Sequence, residues 1–324
     1  MQEFIIQTSE NGLTLEKYVF KVLPVAPLSF IYKLFRKKDI KVNGHHEDKK
    51  FRLTTNDIVA IYINDEQIKE FQKEKALNPN LRIKDWIIYE DENVLFVNKP
   101  SGLLVQKSAP QDESLDQLVI EYLMATNQYN PDKEKGFVPG PAHRLDRNTS
   151  GIVVFGKNHE TLTMLFDLFK DHDLINKHYL ALVVGNVEKD KDIITAPLKK
   201  DEKNNKVVVS KDGKSAQTVY KVLKRFNGYT LLDVTLLTGR THQIRVHMSY
   251  TNHPIVGDAK YGNFAVNKEF KDKYHFSSQF LHAYKIGFGK LKYPFNNLSK
   301  KEFIAEPREE IANILTMLEN INEE

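Results

Sequence analysis

The stretch HRLDRNTSG, residues 143–151, places Asp146 between Arg144 and Arg147 in a polar turn that runs straight into the apolar segment GIVVFG. An exposed ion pair is worth only about 0–1 kcal/mol, so a solvated loop gains little from this arrangement. A carboxylate that must stay ionised beside a polyanion gains far more, because neighbouring guanidinium groups favour its charged form. Two further blocks gather polar side chains where strands and turns meet. In NKHYLALVVG, Tyr179 opens a strand as a rigid ring with one hydroxyl. In TGRTHQIRVHMSYTNHPIVGDAKYG, Gly239 ends a strand, and a short helix starting near Thr241 would present Gln243, Arg245 and His247. From there Arg245 could reach Asp146 as a bidentate partner. Each block also has a plainer role: an Asp in a turn is usually a cap, a strand Tyr usually packs, and an Arg on a short helix is usually solvated.

The elements that must position these residues fall into two parts. From about Gly12 to Asn64, LTLEKYVFKVLP has helical apolar spacing and stops at Pro24, and Ser29 can cap a second helix with Phe30, Ile31, Leu34 and Phe35 on its apolar face. DIKVNG and DIVAIYI read as strands, with Asn43-Gly44 as the turn signal between them. Lys33, Arg36, Lys37 and Lys38 crowd the second helix and Lys41 follows it. A charge run is usually a solvated face, but its concentration in a small module points to a phosphate-binding surface. Residues 65–80 read as a polar linker or a loosely attached helix, and residues 81–310 as a second domain. Its many β-rich runs, with helices only at SLDQLVIEYLMATN, HETLTMLFDLFKD and THQIRVHMSYTN, predict an α+β domain around a mixed, mainly antiparallel sheet. Residues 311–324 form an amphipathic helical tail.

At 324 residues the chain suits two domains, and 41% hydrophobic with 28% charged residues describes an ordinary globular protein. A formal net charge of +4 permits an anionic partner without requiring one. The absence of cysteine excludes disulfides, thiolate metal sites and a Cys nucleophile, and fits a cytoplasmic protein. No signal-peptide pattern and no apolar run of membrane-spanning length is present.

The block HRLDRNTSG resembles the catalytic motif of the RluA-type pseudouridine synthases, which modify uridine in structured RNA. NKPSGLLV, KHYLALVVG, GRTHQIRVHM with HPIVGDAKYG, and FLHAYKIGF resemble the family's other blocks in the family's order, over roughly residues 87–288. The N-terminal module resembles an S4 RNA-binding domain. The resemblance implies a pseudouridine synthase fold and these roles: Asp146 starts the reaction, Tyr179 stacks on the target base, and Arg245 pairs with the aspartate. It also implies that Arg144 can fill the gap left by an extruded nucleotide, with Arg147 and the basic helix as further RNA contacts. It implies an RNA partner, 23S ribosomal RNA ahead of transfer RNA, no cofactor, no metal and no membrane; a monomer is expected.

Physical chemistry is consistent with that reading. Exchanging the C1′–N1 bond of uridine for C1′–C5 needs no redox step, metal or external energy source. The base must leave its stack, so the site needs a planar partner and something to hold the vacated space. A non-catalytic RNA-binding protein is the chief alternative. A hydrolase finds no G-x-S-x-G or H-E-x-x-H pattern, and a glycosidase lacks an evident second acid near Asp146, with Asp258 more simply bracing its turn.

Overall fold

The computed structural model describes residues 1–23, 26, 28–72, 81–109, 111–131, 133–134, 136–171 and 173–323. Pro24, read as a helix stop, and residues 73–80 of the expected linker lie outside these. Two compact units form: residues 1–81 with 107–112 and 121–137, and residues 82–106, 113–120 and 138–324.

In the first unit, strand β1 (Gln2–Ile5) precedes helices α1 (Leu15–Val22) and α2 (Leu28–Lys37), strands β2 (Ile40–Val42) and β3 (Ile58–Ile61), and helix α3 (Asp65–Gln72). Thr14 caps α1, its side chain accepting from the Lys17 N–H. Ser29 lies inside the first turn of α2 and not at its cap. β1 and β2 flank β3, both antiparallel, so the sheet takes in residues upstream of the boundary read at Gly12. Asn43-Gly44 does turn the chain, with φ 49° and 81°, but it returns only to a bridge at His45, well before β3 begins. Leu15, Val19, Ile31, Val59 and Ile61 close the core of this unit.

The second unit is built on a ten-stranded sheet. Its strands are β4 (Ile87–Glu90), β5 (Val94–Lys99), β6 (Gly140–Pro141), β7 (Ser150–Gly156), β8 (Ile175–Val184), β9 (Lys191–Thr195), β12 (Gln217–Phe226), β13 (Tyr229–Leu236), β14 (Leu281–Phe288) and β15 (Glu302–Ile304). Strands β10 (Leu198–Asp201) and β11 (Lys206–Val209) make a separate hairpin. The main order is β4-β5-β7-β14-β8-β13-β12-β9, with β6 beside β7 and β15 beside β14. Only the β7·β14 pairing is parallel, so the sheet is mixed and mainly antiparallel, as expected. Every residue of β7 is buried, which explains why its sequence is a continuous apolar run and not an alternating one.

Helices α4 (Leu115–Ala125), α5 (His159–Leu168), α6 (Gln243–Tyr250) and α8 (Glu309–Glu323) fall on segments read as helical. α5 is capped by Asn158 and lies on β7, where Gly156 leaves room for the Leu162 backbone. The sequence reading missed α7 (Phe264–Tyr274); the signal was Asn263, whose side chain accepts from the Ala265 and Val266 N–H groups. α8 buries Ile311, Ile314 and Leu318 and packs against β12, where Lys224 pairs with Glu319 at 2.7 Å.

Candidate active site

Three pieces of the second unit meet at one cleft of about 1030 Å³: the loop 143–149 between β6 and β7, strand β8, and the start of α6. The loop is laced to the segment after β5. The buried Lys99 donates from Nζ to the carbonyls of Pro100 at 2.9 Å, Leu103 at 2.8 Å and Arg147 at 3.0 Å. Arg147 Nε donates to the Gly102 carbonyl and the Ser101 hydroxyl to that of Asn148. Burial pulls the Lys99 ammonium down to about 7, with Asp146 opposing and Arg308 reinforcing. Three carbonyl acceptors match the three N–H bonds of an ammonium, where a neutral amine has two, so the charged form fits this junction. Sequence reasoning assigned Lys99 no role; its only signal was a Lys at the end of an otherwise apolar strand.

Asp146, half-buried in the cleft, accepts from Arg245 Nη1 at 2.7 Å through Oδ2. Among the described residues Oδ1 has no hydrogen-bond partner. Neither Arg144 nor Arg147 lies within salt-bridge distance of Asp146. Of the three arginines expected at this carboxylate, only Arg245, 99 residues away, reaches it, and it does so through one bond and not as a bidentate pair. Arg144 is exposed on the cleft lining, and Arg147 points to the Gly102 carbonyl. Tyr179 sits in the middle of β8 and not at its start, opposite Val234, with the residue 7% exposed. Burial, and secondarily the Asp146 charge, hold its phenol above the usual range, so it is neutral.

Arg245 is itself gripped from behind. Its Nε and Nη2 donate to the two oxygens of Asp258 at 2.7 and 2.9 Å, and Asp258 Oδ1 also accepts from the Lys260 and Tyr261 N–H groups. Burial works against the Arg245 charge, but Asp258 and then Asp146 more than reverse this and raise its pKa. Burial likewise opposes the Asp258 carboxylate, and Arg245 with the two backbone donors overcomes it, lowering its pKa. The reading of Asp258 as a turn brace was incomplete: it braces the turn and also orients the guanidinium that meets Asp146.

His143 stacks on Phe169 at 4.5 Å and accepts from the Val154 N–H, and Lys177 places Nζ 5.5 Å from the centre of the same ring. In the first unit, Lys33, Arg36 and Lys37 are exposed on α2 and Lys38 just beyond it, and Lys41 lies 4.9 Å over the Tyr62 ring.

The sequence profile of the RNA pseudouridylate synthase family matches residues 93–250, which span the loop, Tyr179 and Arg245. An uncharacterized RNA pseudouridine synthase of Mycoplasma capricolum is 34% identical over 95% of this chain and 98% of its own. The chain belongs to the RNA pseudouridine synthase family. It is thus an isomerase that converts uridine to pseudouridine in RNA. Ribosomal large subunit pseudouridine synthase D of Borreliella burgdorferi is 36% identical over 94% of this chain and 89% of that protein. Synthase C of the ribosomal large subunit from Vibrio vulnificus is 34% identical over 86% and 85%. The fold is that of human RNA pseudouridylate synthase domain containing 4, with a TM-score of 0.59 at 21% identity over 74% of this chain and 94% of that one. Among the described residues no group of three His, Cys, Asp or Glu is placed to hold a metal ion, and no helix is long and apolar enough to cross a membrane.

Proposed function

We propose that this synthase acts on large-subunit ribosomal RNA, 23S in a bacterial ribosome, with Asp146 as the residue that starts the isomerisation. The supporting observation is the carboxylate of Asp146, tied through one oxygen to Arg245 at 2.7 Å and open through the other to a nucleotide-sized cleft. The tethered oxygen fixes the carboxylate's orientation. The free oxygen, Oδ1, is the one that meets the extruded nucleotide. The C1′–N1 bond then breaks with its electron pair remaining on the uracil. The base turns, C1′ joins C5, the proton leaves C5, and N1 ends as an N–H. Tyr179 supplies a neutral aromatic face for the base, and Arg144 at the rim supplies a cation for the space it vacates. Arg147, besides holding the loop, adds positive charge beside the RNA path.

The ribosomal target is supported by the two named relatives, synthases D and C of the large subunit, which align over most of their own length. The first unit acts as an S4-like RNA-binding module through Lys33, Arg36, Lys37, Lys38 and Lys41, the chemistry ends within the second, and the protein works as a cytoplasmic monomer. The deciding experiment maps pseudouridines in ribosomal and transfer RNA from cells with the gene, without it, and carrying D146A. A large-subunit site should vanish in the last two. A lost site in transfer RNA would refute the target, and a site retained with D146A would refute the catalytic role.

A further inference from the structure

Besides Arg245, a second nitrogen-bearing side chain stands near Asp146, that of His242, the residue just before α6. Its backbone is left-handed, with φ 54° and ψ 20°, and this turn aims the imidazole into the cleft. Nδ1 lies 2.9 Å from the Tyr261 hydroxyl. That hydroxyl oxygen already accepts from the Val207 N–H at 2.9 Å. The phenolic proton has Nδ1 as its acceptor, since no other acceptor contacts that hydroxyl among the described residues. Nδ1 therefore receives a hydrogen bond, and in the neutral ring the proton must sit on Nε2. Burial, aided by the charges of Arg245 and Lys260 and opposed by Asp146 and Asp258, keeps that ring neutral. Nε2 is 3.9 Å from Asp146 Oδ2, beyond hydrogen-bond reach, and has no hydrogen-bond partner among the described residues.

An N–H of fixed tautomer thus faces the cleft beside the carboxylate, with no acceptor from the protein. Uracil carries two carbonyl oxygens and loses their water partners on entering such a site. We propose that His242 donates a hydrogen bond from Nε2 to a carbonyl oxygen of the extruded uracil, with Tyr261 fixing the tautomer that allows it. The proposal rests on the reading of Asp146 as the reacting group. His242 orients the base, and because its donor is uncharged and pre-aimed it does so without neutralising the aspartate.

The test pairs protein and substrate changes on a stem-loop transcript of the mapped site carrying uridine, 2-thiouridine or 4-thiouridine at the target. Sulphur is the weaker acceptor. H242A should lower kcat/KM on uridine about tenfold, H242Q should restore part of that through its amide N–H, and Y261F should fall between. At one of the two thio positions wild type should lose a similar factor while H242A loses nothing further, the signature of a direct contact. If the losses multiply at both positions, or if H242A matches wild type, the assignment is overturned. Should H242A fail to fold, H242F, a ring without a donor, carries the same comparison. Wild-type conversion with an inactive D146A leaves the Asp146 reading standing whichever way this test falls.

Discussion

Arg245 is a guanidinium asked to hold two carboxylates at once, through Nη1 on Asp146 and through Nε and Nη2 on Asp258. An ammonium is a point charge without that planar fork, so the conservative exchange is not conservative here. R245K should keep the fold but leave Asp146 loosely aimed, lowering the single-turnover rate by about a hundredfold, the scale of loss for a small misplacement near the reacting atoms. A rate within a factor of about two of wild type would show that charge alone is sufficient. The residue types at this site were legible: an Asp between arginines, a strand Tyr and an Arg in HQIR. The pairing of Arg245 with Asp146 was legible too; what was not is that Asp258 takes two of the guanidinium's bonds and leaves one for Asp146, while Arg144 and Arg147, the neighbours in sequence, stay out of reach.

The loop bearing Asp146 owes its position to β5 and β7 and to the junctions at their ends. At Gly151 the backbone has φ +112°, and a Cβ there would overlap the Ala283 carbonyl on the parallel neighbour β14. G151A should therefore cost about 2–5 kcal/mol, combining strain and overpacking, and shift the midpoint of urea unfolding accordingly. An unchanged midpoint would mean that β7 and β14 separate easily. At the end of β5, K99M would leave three carbonyls without their donor. A loss of about 3 kcal/mol or more is expected, read as a lower Tm, with activity falling at temperatures where the protein is still folded because the 143–149 loop is freed. Wild-type activity in a destabilised K99M would separate the lysine from the loop. Element types were largely legible, since periodicity and turn residues are local properties. The missed α7 has weak amphipathic spacing, and its cap at Asn263 was its clearest mark.

Histidines help set how the molecule answers acid, with the largest shifts at His143 on the cleft lining and at the fully buried His282. Burial and the Lys177 charge hold His143 down to about 3. Burial, with Arg308 reinforcing and the Ala305 carbonyl opposing, holds His282 down to about 4, its Nδ1 accepting from the Ser150 hydroxyl. Both are depressed in the folded state, so between pH 6.5 and 4 the unfolded chain binds protons that the folded one refuses. Stability should therefore fall as pH drops through that window, by at most about 1.4 kcal/mol per unit for each histidine. Melting curves at successive pH values check this, and H282Q should flatten the decline; an equally steep fall in that variant would place the effect elsewhere. In the first unit, K33E, R36E and K37E should each weaken RNA binding at every sequence. Each should also make log Kd less steep in log salt by about one, while kcat at saturation holds. An unchanged salt slope would remove the α2 cations from the RNA path.

The amino-acid sequence alone determined most of the segments that form strands and helices, that no thiol chemistry is available, and which short blocks bear the polar residues. These follow from side-chain type and spacing over a few residues. Tertiary structure decided that Arg144 and Arg147 leave Asp146 to Arg245, that Asp258 stands behind that guanidinium, that Lys99 pins the loop, and that His242 turns an N–H into the cleft. Each of these joins residues from different elements. Their distances depend on strand register and helix placement, which are cooperative outcomes of packing that no local pattern encodes.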